Sequence, residues 1–140
     1  MSKPTYQDAM LMLQIAQWST SAGLGDASNW MWSDQFITDF AEFVKRYPSG
    51  SEGNRNAAKI CSYFETLGVL WKHKLLNEDL LFDWVKAHIV WRRINPYVLG
   101  MRKATGNLRV YENFETLANA NVAHDAKLAK RTANRKNPKQ

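Results

Sequence analysis

Large apolar side chains recur at three- and four-residue spacing along most of this chain, and no segment alternates apolar with polar residues over a strand's length. A period near 3.6 gathers such residues on one side of a helix, whereas a half-buried strand needs period two. The pattern therefore predicts an all-α fold, a single irregular helical bundle of five to six helices joined by short connections. No internal repeat accompanies it, and the helices differ too much in pattern for a solenoid.

The first helix is read from Tyr6, Met10 and Leu13 on one stripe and Leu11, Ile15 and Trp18 on another, a broad apolar surface. Residues 19–31 hold two glycines and several cap formers and read as a loop. Ser33 is placed to cap a second helix that carries Phe36, Phe40, Phe43 and Tyr47 on one face. Pro48 stops that helix, since the residue before proline avoids the helical region. After a Gly/Ser turn over 49–54, a third helix presents Ile60, Phe64, Leu67 and Trp71. Gly68 inside it costs about 1 kcal/mol relative to alanine, and close approach of another helix is the expected reason.

Asn77 is read as the cap of a fourth helix, with Glu78 and Asp79 at its positive end. Leu81, Trp84, His88 and Trp91 form one stripe of that helix and Phe82, Val85 and Ile89 a second. Only a narrow polar edge is left, so the helix is expected at the centre. Pro96 is expected to kink or break it near Asn95. A last helix over residues 110–119 follows Gly106 and Asn107.

Of 140 residues only Cys61 is a cysteine, which excludes an internal disulfide framework and any multi-cysteine zinc site. The formal charge of +6 is uneven. Residues 123–140 carry Lys127, Lys130, Arg131, Arg135, Lys136 and Lys139 against Asp125, a net +5, and leave the body, residues 1–122, near neutral at +1. With Leu128 as its one large aliphatic residue, the tail is expected to be disordered, because it buries too little to offset its ordering entropy. No signal peptide and no span of roughly 20 apolar residues is visible, so a cytoplasmic location is the default expectation.

Across residues 60–118 several short motifs occur in a fixed order. These are Phe64-Glu65-Thr66-Leu67-Gly68, Asn77-Glu78-Asp79-Leu80-Leu81-Phe82-Asp83-Trp84, Trp91-Arg92 with Ile94-Asn95-Pro96, Arg102 with Gly106-Asn107, and Tyr111-Glu112-Asn113-Phe114-Glu115 with Leu117-Ala118. Together they resemble a bacterial family of small helical proteins known only as a domain of unknown function. The resemblance implies a small helical domain, often in membrane-tethered proteins, and no established activity, cofactor or catalytic residue.

No residue pattern here points to chemistry. Cys61 and His88 pair a thiol with a base only if they touch, and both lie on apolar stripes, where a core role is the plainer reading. His73, His88 and His124 lack metal-ligand spacing, and no metal or cofactor is expected. Glu112 and Glu115 share a face at i, i+3, an arrangement read as salt-bridged to Arg102 or Arg109 rather than as an acid–base pair.

Two function classes lead, with a hydrolytic or transferase enzyme kept as the third. The first is a non-enzymatic helical protein-interaction module, with another protein or a second copy as partner. Its candidate surface is Trp30 and Trp32 beside the loop, with Arg102, Tyr111 and Asn113 at the junction of the last helices. The plainer alternatives are that Trp32 staples onto the second helix and that Arg102 and Asn107 tie the final connection. The second class is weak, salt-dependent binding of nucleic acid or an acidic surface by the basic tail.

Overall fold

The computed structural model describes residues 3–137, which form seven helices and no strand. The all-α expectation holds, with more helices than five to six. Helix α1, Tyr6–Ser21, opens on a capping box: the Thr5 hydroxyl accepts from the Asp8 amide at 3.1 Å while the Asp8 carboxylate accepts from the Thr5 amide at 2.7 Å.

The segment expected as a loop is largely helix α2, Leu24–Trp32. Gly23, at φ 73°, makes the left-handed turn out of α1, which few other residues adopt. Beyond it, Ala27 and Met31 are buried one turn apart, and that burial outweighs the poor helix propensity of the segment's Gly, Ser and Asn. Ser33 consequently closes α2 instead of opening the next helix, its hydroxyl donating to the Trp30 carbonyl at 2.6 Å. Helix α3, Phe40–Arg46, is shorter than expected and is capped by Asp39, whose carboxylate accepts from the Glu42 amide at 2.9 Å. It ends before Pro48, as the sequence predicts.

Helix α4, Glu52–Lys72, is the central element and buries Ile60, Cys61, Phe64 and Leu67. Gly68 has the expected reason: a Cβ there would overlap the Asn113 carbonyl where α7 crosses.

The expected fourth helix is two. Asn77 does cap helix α5, Glu78–Trp84, but the chain becomes extended at Val85 and restarts as α6, Ala87–Thr105. The break is held from elsewhere. The fully buried Asn121 side chain accepts the Ala87 amide at 2.9 Å, and the Lys86 ammonium donates to the Phe82 carbonyl at 2.7 Å. Pro96, expected to kink or break the helix, lies inside α6. The carbonyl its missing N–H would have served is that of Arg92, and the Asn95 side-chain amide donates to it at 3.2 Å instead.

Helix α7, Glu112–Lys136, begins at Tyr111 in a left-handed conformation, φ 52°. It packs mainly against α4 and α6. Phe43, Phe82, Phe114, Ile94 and Leu117 are fully buried in the single core these helices share. Disorder is expected over residues 123–140, but residues 123–136 continue α7. A helix already anchored by Phe114, Leu117, Asn121 and His124 is propagated residue by residue without a new nucleation step. Packing also runs past the expected body limit at residue 122, to the buried His124. Lys139 lies outside the described residues.

Candidate interaction surface

The residues singled out at the last junction are engaged internally. Arg102 donates from Nε to the Val110 carbonyl at 2.9 Å and pairs with Glu115 at 2.9 Å, its guanidinium 5.8 Å from the centre of the Trp91 ring. Asn107 accepts the Arg109 amide at 2.9 Å, and Arg109 pairs with Glu112 at 2.9 Å. Arg102 and Asn107 thus tie the final connection, and both glutamates are salt-bridged. The hydrogen bond from Arg109 holds the Glu112 carboxyl below the usual carboxylate range. Asn113 sits at the start of α7 under the Glu65 carboxylate of α4, which accepts the Asn113 side-chain amide and the Phe114 backbone amide, both at 2.8 Å. An anion at a helix N-terminus satisfies orphan donors and meets the positive end of the dipole. Tyr111 is half-buried, and burial raises its phenol above the ordinary value.

The two tryptophans separate. Trp30 is half-buried among aromatic rings, edge-on to Phe36 at 5.5 Å and to Tyr47 at 5.6 Å. Trp32 is 51% exposed and is covered on one side by Arg93, whose guanidinium lies 6.0 Å from its ring. Arg93 is fixed there by bonds to the Met31 and Ser33 carbonyls, both 2.9 Å.

Cys61 is fully buried, and burial pushes its thiol well above the ordinary range. His88 faces Asp125 at 3.9 Å. Asp125 also lies 3.7 Å from His124, which contacts Asp79 at 3.0 Å. This cluster fastens α5, α6 and α7 together at the helix break, and no sequence signal announces it, because Asp79 and His88 lie far along the chain from His124 and Asp125. Among the described residues no group of histidine, cysteine and carboxylate side chains is placed to hold a metal ion.

An unpartnered apolar surface lies on α1. Only Ile15 of its 16 residues is buried. Tyr6, Leu13 and Met10 are 83%, 64% and 44% exposed on one seam, and Trp84 of α5 is 42% exposed. Between the two helices runs a groove lined by Ala9, Met12, Leu13, Ala16, Leu80 and Trp84, with Asp83 at its edge. The signal is present in the sequence, in two apolar stripes on a helix that has room to bury one.

The basic residues Lys127, Lys130, Arg131, Arg135 and Lys136 all lie on the exposed end of α7, and among the described residues none is in an ion pair. No helix of the described residues is long and apolar enough to cross a membrane.

No curated protein and no solved structure matches the chain. Residues 4–120, from just before the α1 capping box to within α7, do match one family model, so the resemblance carried by residues 60–118 extends to nearly the whole body: the chain belongs to the family described as Domain of unknown function (DUF4760).

Proposed function

We propose that this chain is a non-enzymatic protein-interaction module whose docking surface is the outer seam of α1 together with the groove against α5. The observation that carries the reading is the exposure of Tyr6, Met10 and Leu13 along one helix seam, with Leu13 also lining the groove that holds Trp84. A helix apolar on most sides belongs in the interior of something larger. Contiguous apolar surface rimmed by polar residues is the usual mark of a partner site. The internal engagement of Trp30, Arg102 and Asn113 moves weight from the surface the sequence suggests to this one. Burial of Cys61 favours a packing role for the thiol.

A photoreactive side chain tests the surface directly. Leu13→benzoylphenylalanine in the full chain is expected to cross-link to protein in living cells, while Lys45→benzoylphenylalanine on the exposed side of α3 is not. Equal yields at the two positions, or none at position 13, would sink the reading.

One observation favours the second reading, binding of nucleic acid or an acidic surface. Lys127, Arg131 and Arg135 fall at i, i+4 and i+8 on the exposed helix and so form a stripe. Mobility shifts with duplex DNA across salt concentrations check it. Each phosphate contact contributes about −0.9 to the slope of log affinity against log salt. The triple variant Lys127→Gln, Arg131→Gln, Arg135→Gln is expected to flatten that slope by about three such steps, and an unchanged slope excludes the stripe.

A further inference from the structure

Two features of this molecule lack partners and adjoin each other. One is the apolar groove between α1 and α5. The other is the end of α7, where every residue from 126 to 137 is exposed. An unsupported helical end is marginal in water, and like charges at i, i+4 (Lys127, Arg131, Arg135) weaken it further. A surface that covers this helix and offers opposite charge would stabilise it.

The two features complement one another. On α7, Ala126, Ala129 and Ala133 fall on one side at i, i+3 and i+7, with Lys130 on one flank of that strip and Lys136 on the other. The groove presents Ala9 and Ala16, also at i and i+7, between larger apolar walls, with Asp83 at its edge. Small residues on both sides let two helices approach closely, and the lysines then meet the Asp83 carboxylate at the groove edge. The lengths agree as well. Ala126 to Ala133 and Ala9 to Ala16 each span about 10 Å at 1.5 Å per residue. The end of α7 leaves the body where His124 contacts Asp79, at the start of α5, the helix that forms one wall of the groove.

We infer that the occupant of the groove is the α7 end of a second copy of this chain, exchanged reciprocally about a two-fold axis. This rests on the docking surface proposed above and names its partner. Reciprocal exchange closes the assembly at two chains. Each chain contributes a groove and a helix, two surfaces toward the roughly 800 Å² per partner that a stable interface buries.

The test uses the purified full chain. Light scattering up to about 100 μM, where an interface of Kd about 10⁻⁵ M is mostly assembled, is expected to give twice the 16.1 kDa chain mass. Lys130→Glu and Asp83→Lys are each expected to weaken association by about tenfold or more, since like charges then face one another. An equimolar mixture of the two variants is expected to recover association, since in the mixed dimer opposite charges face one another at both grooves. Leu13→benzoylphenylalanine in the purified protein is expected to cross-link to residues 126–136 of the other copy, as mapped by mass spectrometry. Both charge variants retain the native far-ultraviolet circular dichroism over the body. A strict monomer, a dimer cross-linked elsewhere, or a dimer indifferent to both charge changes overturns the inference. A monomer whose position 13 nonetheless cross-links another protein in cells overturns the inference alone and leaves the docking surface standing.

Discussion

A single glycine sets how closely the two longest helices, α4 and α7, approach. At Gly68 the backbone of α7 comes so near that any Cβ would overlap the Asn113 carbonyl, and a backbone atom cannot swing aside. Gly68→Ala is therefore expected to destabilise the fold by about 1–3 kcal/mol, the usual cost of overpacking a tight contact. Gly25 is the control. It lies in α2 with no atom within 4 Å of the position a Cβ would take. Gly25→Ala is expected to stabilise by about 0.5–1 kcal/mol through helix propensity and a less mobile unfolded chain. Urea denaturation of both variants checks the pair, and equal shifts would contradict the close approach. The need for small size at Gly68 is legible in the sequence, since a glycine inside an apolar helix sacrifices helix propensity and is kept where a neighbour leaves no room for a Cβ. That its neighbour is the start of α7, capped by Glu65, is not legible, because 48 residues separate Glu65 from Asn113.

At the level of elements, local rules identify caps and misplace breaks. Thr5, Ser51 and Asn77 cap helices, and of these only Asn77 stands out in the sequence pattern, directly before two acidic residues and an apolar run. Pro96 carries the strongest breaking signal in the chain, yet the helix passes through it because Asn95 serves the abandoned carbonyl. The real break, at Val85 and Lys86, has no local signal. It exists because Asn121, from a helix far along the chain, accepts the first amide of α6 inside the core. Asn121→Ala is accordingly expected to cost about 1–3 kcal/mol, the penalty for leaving a buried N–H without an acceptor. It should also speed hydrogen exchange at the Ala87 amide more than at amides in the middle of α6. Uniform acceleration along α6 would place the anchor elsewhere. Helix α2 escapes the local rules for a related reason, since burial of Ala27 and Met31 is a tertiary fact that composition does not carry.

Over the whole molecule, periodicity suffices for the fold class because the long helices α4, α6 and α7 each bury a stripe, and it fails at the surface because exposure depends on which stripes find neighbours. The two stripes of α1 are visible in the sequence, but which one faces outward depends on where α2 and α5 settle. The same collective burial governs how stability varies with alkali. Burial lifts the Tyr63 phenol from its ordinary value near 10 to about 12, raises those of Tyr97 and Tyr111, and raises the Cys61 thiol. For each group the folded state holds its proton at a pH where the unfolded chain has released it. Above the unfolded values, about 8.5 for the thiol and 10 for the phenols, the unfolded state binds fewer protons, so stability falls as pH rises. Below pH 8 these groups contribute no slope. Thermal melts are expected to be level on account of them between pH 7 and 8, then to decline through pH 9–11, most steeply once the phenols join the thiol. Cys61→Ala removes the thiol's share, so the variant's decline should begin about one pH unit later than that of the parent chain. Onset at the same pH in both would mean that the thiol is not protected by the fold, and with it the core position of Cys61 would fall.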